Sequence, residues 1–175
     1  METIFLYNSA VKIIDIRANL GRGSLVSAAT IIHAKTEEQL QKCLDIRKEV
    51  FVEEQKVPID LEIDEFDKIG PDVHHVLIEL NGEYAATGRL TYYKDNSAKM
   101  QRIAVRKPFR SQGVGKILLI ALEELARELG LEKSVLDAQC QAEGFYAKLG
   151  YETISAEPFD DAGIPHVRMV KPLKS

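Results

Sequence analysis

The sequence predicts an α+β or α/β sandwich, with helices covering a sheet. Strand-like runs alternate with helical ones, and Asn81-Gly82 between two such runs is the strongest short-range hairpin signal. Two longer segments repeat apolar residues at helical spacing, the first opened by a capping signature and the second closed by a glycine. The 175 residues are 45% hydrophobic and 29% charged, which suits one soluble domain with a sizeable core.

Taken in order, Ile4 to Tyr7 and Val11 to Ile16 have strand-like composition, and Gly21-Arg22-Gly23-Ser24 reads as a loop. Residues 1–29 form an N-terminal extension with two open readings, an ordered extra hairpin or a segment that packs poorly. Residues 30–173 form the main domain. Thr30 to Ala34 is a short apolar strand. Thr36 can accept the Gln39 backbone N–H while the Gln39 side chain reaches back, which starts a helix. Leu40, Cys43, Leu44, Val50 and Phe51 continue it at helical spacing, and Pro58 lies beyond its end. Val73 to Leu80 and Glu83 to Tyr93 are the arms of the Asn81-Gly82 hairpin, and Asp95-Asn96 turns the chain into a strand from Ala98 to Val105. The second helix carries Val114, Ile117, Leu118, Ala121, Leu122, Leu125 and Leu129 on one face and stops at Gly130. Ser134 to Ala138 is a strand, Ala142 to Leu149 a short helix, and Tyr151 to Ile154 and His166 to Val170 the last strands.

Composition removes several function classes. No apolar run approaches the ~20 residues that span a bilayer, and the short apolar patch near the N-terminus has no basic region before it. No membrane partner is expected, and the location expected is cytoplasmic. Cys43 and Cys140 have neither metal-ligand spacing nor a disulfide framework, so no metal is expected. The net charge is −4 with no basic cluster, which argues against a nucleic-acid partner. A homodimer is compatible with the sequence.

The chemistry sits in Arg106-Lys107-Pro108-Phe109-Arg110-Ser111-Gln112-Gly113-Val114-Gly115-Lys116, which joins a strand to the long helix. Two glycines at a helix start leave backbone N–H groups uncovered at the positive end of the helix dipole, and Arg110 adds a charged donor. This pattern suits a pyrophosphate. A P-loop fails twice, because Arg110 stands where its first glycine belongs and Ile117 where its hydroxyl belongs. A dinucleotide fingerprint fails at Leu118, too large for its third glycine.

Arg110-Ser111-Gln112-Gly113-Val114-Gly115 resembles the R/Q-x-x-G-x-G/A loop of the GNAT acetyltransferase superfamily, which wraps the coenzyme A pyrophosphate. About thirty residues on, Ala142-Glu143-Gly144-Phe145-Tyr146-Ala147-Lys148-Leu149-Gly150-Tyr151 resembles its second signature. The likeness covers roughly Thr30 to Leu173. Ile46 to Gln55, Leu136 to Gln139 and Asp161 to His166 further resemble a bacterial subgroup of small, uncharacterised N-acetyltransferases. The resemblance implies a mixed, mostly antiparallel sheet with helices on both faces. It also implies acetyl-CoA as cosubstrate, no metal, and direct transfer to a primary amine of a small molecule or peptide. A coenzyme A-binding regulatory module without turnover is the rival, as is a structural or interaction domain that keeps only the fold.

The resemblance also assigns roles. Ile103, Ala104 and Val105 would pair with the pantetheine arm where two core strands splay, and their N–H groups would polarise the thioester carbonyl; the competing reading is an ordinary buried strand. Arg110, Ser111, Gln112, Gly113, Val114, Gly115 and Lys116 would hold the pyrophosphate, and Phe145 belongs to the second signature beside them. Gln139 stands where many relatives carry a pantetheine-contacting asparagine. Tyr146 is the candidate catalytic acid, since a phenol near pKa 10 can protonate a departing thiolate near 8.5; otherwise it shapes the pocket. Many relatives place a basic glutamate where this chain has Met100-Gln101-Arg102, and glutamine cannot accept the proton. Glu54, Glu65, His74 and His166 remain as alternative bases. Cys140 reads as a small packing residue rather than a nucleophile. Residues 49–67 hold eight acids (Glu49, Glu53, Glu54, Asp60, Glu62, Asp64, Glu65, Asp67) against Lys56. They form either a solvated face or an acidic rim that would draw polyamine, aminoglycoside or lysine-like acceptors.

Overall fold

The computed structural model of the protein describes residues 4–7, 11–15 and 28–173. The expected loop at residues 21–24 and the end of the second strand at Ile16 lie outside them. Among the described residues ten strands form one sheet: β1 Ile4–Tyr7, β2 Val11–Asp15, β3 Ala28–His33, β4 Val73–Leu80, β5 Glu83–Tyr93, β6 Ser97–Val105, β7 Lys133–Gln139, β8 Glu152–Thr153, β9 Phe159–Asp161 and β10 Ile164–Pro172. Their order is β1-β2-β3-β4-β5-β6-β7-β10-β8, with β9 paired to β10. All described pairings are antiparallel except β6 with β7. A parallel neighbour requires a crossover, and helix α3 (Val114–Glu128) supplies it. The sheet is thus mixed and mostly antiparallel.

Helices cover both faces, and strand alternation says which residues meet which helix. On β4, Val76, Ile78 and Leu80 join the core under α3 with Leu118, Leu119 and Leu122. Leu77 points the other way, into a second core with Cys43, Ile46 and Val50 beneath α1 (Glu37–Arg47). Thr36 caps α1 as expected, its Oγ1 accepting the Gln39 N–H at 3.2 Å while Gln39 Oε1 accepts the Thr36 N–H at 3.2 Å. Among the described residues no helix is long and apolar enough to cross a membrane.

The first helix departs from its expected course. It is α-helical only to Arg47 and then widens into a π-helix, Lys48–Glu54, closed by a Gln55 N–H to Val50 carbonyl bond of 3.1 Å. Five-residue spacing brings Glu49 and Glu54 to one side. Glu49 meets Arg106 and Glu54 meets Arg110, so the widened turn docks the helix end on the segment after β6. A single turn, α2 (Ile59–Glu62), follows.

The C-terminal part also differs in detail. Cys140–Ala142 forms a 3₁₀ turn before α4 (Glu143–Lys148). Tyr151 is not in β8 but is 3% exposed in the core, its hydroxyl 2.7 Å from Ser134 Oγ and donating to the Glu123 carboxylate at 3.0 Å. That buried polar set turns the residue inward and shortens the strand to two residues. β9 was not expected; it folds onto β10 through Ala162 and Gly163, both at positive φ, as in a tight hairpin turn.

Candidate active site

The parallel pair β6–β7 holds together over only half its length. Ser97 to Met100 register against Lys133 to Leu136, and the described pairing then stops. Beyond it, the β6 residues from Gln101 to Val105 bond to β5 alone, and Asp137 to Gln139 bond to β10 alone. A bulge marks the parting: the β5–β6 register slips between Thr87 and Arg89, and Arg102 opposite it takes a left-handed φ of 55°. One edge of Ile103, Ala104 and Val105 is left facing a wedge between the strands. Their side chains anchor the edge, Ala104 in the core under α1 and Ile103 and Val105 against the core under α3.

At the mouth of this wedge the chain makes a 3₁₀ turn, Lys107–Phe109, and enters α3. Ser111 and Gly113 both have positive φ, 61° and 78°, which turns successive amides toward one side. Gly113 is the N-cap of α3 and has no side chain to cover the first-turn N–H groups; the first intrahelical bond is Ile117 N–H to the Gly113 carbonyl at 3.1 Å. The N–H groups of Val114, Gly115 and Lys116 thus lack helical acceptors. A Cβ on Gly113 would find nothing within 4 Å, whereas one on Gly115 would meet the Phe145 ring at 3.3 Å. Phe145 therefore packs on the helix start. Lys116 and Ser111 are exposed, Val114 is buried, and the Gln112 side chain bonds back to the Pro108 carbonyl.

Arg110 is already engaged. Its Nε donates to the Val105 carbonyl at 2.9 Å, and its Nη atoms grip both Glu54 oxygens at 2.6 and 2.7 Å. The Arg110 hydrogen bond holds the exposed Glu54 carboxyl below its usual range. Glu54 thus marks the spot where an anion meets Arg110, which makes it a poor candidate base.

Two groups lie on opposite faces of β7, one of the two strands of the wedge. Tyr146 on α4 is buried between the rings of Phe145 and Tyr151, and burial pushes its phenol up to about 12. On the α1 face, Gln139 forms a mutual amide pair with Gln55, donating at 2.8 Å and accepting at 3.4 Å. This pair ties the end of β7 to the end of the π-helix. His166 stands beside Gln139 in register on β10 and stacks on Phe159. Its Nδ1 donates to the Ile164 carbonyl at 2.7 Å, which leaves Nε2 as the ring nitrogen free to meet a ligand. Nε2 makes no hydrogen bond to any described residue.

The other proposed bases stand elsewhere. His74 pairs with Leu90 near the closed end of the wedge, and Glu65 is exposed. Gln101 accepts from Arg89 and Thr91. The acidic stretch is not wholly a free acidic rim, because five of its eight carboxylates pair with arginines. Arg47 holds Glu62 and Asp67, Arg89 holds Asp64 and Asp67, and Arg102 lies against Glu62 and Asp64. With Glu49 and Glu54 also paired, only Glu53, Asp60 and Glu65 remain outside ion pairs among the described residues. Cys140 packs partly buried against the core. Among the described residues no group of three or more His, Cys, Asp or Glu side chains is placed to hold a metal.

Residues 32–173 match the profile of the acetyltransferase (GNAT) domain. The chain belongs to the GNAT family. The Bacillus subtilis uncharacterized N-acetyltransferase YjcF is 44% identical over 138 residues, 79% of this chain and 96% of that one. The uncharacterized B. subtilis protein YyaT is 44% identical over 136 residues, covering 78% and 90%. Among solved structures, an acyl-CoA N-acyltransferase from Pseudomonas aeruginosa superposes with a TM-score of 0.72 at 28% identity, covering 83% and 99%. Escherichia coli ElaA gives 0.72 at 26%, covering 84% and 99%. The GNAT fold and its association with acetyl transfer apply to this chain. Sequence reading missed Gln55, Phe159, Arg168 and the Glu54–Arg110 pair. Gln55 closes a stretch already singled out, Ile46 to Gln55, and Phe159 and Arg168 each lie two residues outside another, Asp161 to His166, but neither stretch showed what these side chains touch.

Proposed function

We propose that this chain is a cytoplasmic N-acetyltransferase that moves the acetyl group of acetyl-CoA directly to a primary amine of a small molecule or peptide. The observation that carries the reading is the wedge where the β6–β7 ladder stops, followed by the uncapped start of α3. The residues present fit acetyl-CoA. The first-turn amides of α3, the open space at Gly113 and the Arg110 guanidinium suit its pyrophosphate, while the free edge at Ile103 to Val105 suits the amide-bearing pantetheine arm. Acetyl-CoA supplies the activated acetyl thioester.

The chain's own groups do the rest. Arg110 exchanges its Glu54 partner for phosphate oxygens. N–H groups on the β6 edge stabilise negative charge on the carbonyl oxygen. His166 Nε2, with its lone pair exposed by the Nδ1 bond, takes a proton from the acceptor ammonium, so that nitrogen can form the new C–N bond. Tyr146 gives its hydroxyl proton to sulfur as the C–S bond breaks, and the second amine proton restores the phenol. Burial raises thiols as well as phenols, as Cys43, pushed up to about 11, illustrates.

Single-turnover acetyl transfer by Tyr146→Phe and His166→Gln tests both roles. Each should fall ~10²-fold or more, with acetyl-CoA affinity little changed. Transfer by either variant at the unaltered rate would remove that residue from the mechanism.

A further inference from the structure

An open depression of about 350 Å³ lies on the same face as His166, lined by Ile154, Ser155, Phe159 and Arg168. Its walls are largely apolar, and Arg168 is its one ionised lining group. Phe159 belongs to both places, since its ring stacks on His166 and lies 6.0 Å from the Arg168 guanidinium.

The charge around Arg168 does not balance. Its Nε and Nη2 donate to Asp137 at 2.8 and 3.0 Å, and its Nη1 donates to the Tyr93 hydroxyl at 3.2 Å. The same Asp137 carboxylate also accepts from Lys99 at 2.6 Å, and Lys99 is only 7% exposed. One carboxylate thus serves two cations. A third, Lys94, stands over the Tyr93 ring at 5.8 Å. The Arg168 side chain is 35% exposed, so its guanidinium is within reach of a ligand, and a guanidinium matches a carboxylate in shape. On the other side, arginines neutralise five of the eight 49–67 acids, which leaves three carboxylates there for a polycationic acceptor.

We infer that Arg168 and its depression form a carboxylate subsite of the acceptor, so that the amine acetylated belongs to a molecule that also carries a carboxylate. The inference rests on the acetyl-transfer reading. It also sets a length. His166 and Arg168 are two residues apart on one strand face, roughly 7 Å. With side chains that leave the strand that far apart, the acceptor amine and its carboxylate are several bonds from each other, as in an ω-amino acid or a lysine side chain, and not as in the α-amine of glycine.

The test compares 6-aminohexanoate with pentane-1,5-diamine as acceptors at saturating acetyl-CoA. The carboxylate-bearing amine should have at least tenfold higher kcat/KM, glycine should be poor, and Arg168→Gln should bring the ratio to within about twofold. Because that variant also frees Asp137, hexanoate is measured with the unaltered protein. It lacks the amine, and should bind by calorimetry and inhibit competitively against 6-aminohexanoate. Equal or better use of the diamine, or failure of hexanoate to bind, would overturn the carboxylate subsite. Hexanoate binding without transfer to any amine would overturn the acetyl-transfer reading and leave the subsite standing.

Discussion

Replacing Gly113 by alanine separates a binding role for the loop from a merely structural one. Gly113 has φ +78°, where an L-residue costs about 1–2 kcal/mol more than in its preferred regions. Nothing lies within 4 Å of the added Cβ, so no steric penalty joins that cost. Lower freedom of the unfolded chain returns roughly 0.4–1 kcal/mol. The net loss should be about 1 kcal/mol, a fall of ~2–4 °C in Tm for a chain of this size, and the variant should remain folded. The methyl would project into space that the pyrophosphate needs, so acetyl-CoA affinity measured by calorimetry should drop at least tenfold, about 1.4 kcal/mol. Gly115→Ala is the control. Its Cβ meets Phe145 at 3.3 Å rather than open space, and Phe145, 39% exposed, can give way. Helix propensity favours alanine there by about 1 kcal/mol, so fold and affinity should both persist. Unchanged affinity in folded Gly113→Ala, or equal losses in the two variants, would refute the placement of the anion.

Two further outcomes concern stability and domain limits. Burial lowers the pKa of His33, His74 and His75, so the unfolded chain binds more protons than the folded one just below pH 6.5. Their contribution is complete above that pH and is lost as pH falls. Urea unfolding should therefore give a smaller free energy at pH 5.5 than at pH 8, and a flat or rising profile would contradict the assignment. For the N-terminus we propose that residues 1–27 are dispensable for cofactor binding, because every group assigned to the site lies after them. A chain beginning at Ala28 loses the Lys12–Glu124 ion pair and bares the β3 edge but should still bind acetyl-CoA; precipitation while the full chain stays soluble would make β1 and β2 integral to the core.

Local signals carried much of the fold. The Asn81-Gly82 hairpin, the Thr36 cap and the apolar face of α3 each rest on contacts within a few residues, and each stands where the sequence put it. The glycine-bearing turn into α3 was legible for the same reason, since glycines before an amphipathic helix are a local pattern. The wedge was expected only through resemblance, because strand pairing that stops halfway leaves no periodicity in either strand. What escaped depends on distant partners. The acids of 49–67 read as a charged run, but Arg47, Arg89 and Arg102 come from three separate elements. The two-residue β8 and three-residue β9 are too short to show alternation. Nothing around Arg168 suggested that it shares Asp137 with Lys99, thirty-eight residues from that aspartate.

Acetyl transfer to an amine is tested most directly by incubating the full-length protein with acetyl-CoA and an amine panel that includes 6-aminohexanoate. Free thiol release and product mass are followed together. The expected result is protein-dependent thiol release matched one for one by an N-acetylated amine, and abolished when the amine is omitted. Tight acetyl-CoA binding with no acetylated product from any amine would contradict it and leave a coenzyme A-binding module in its place.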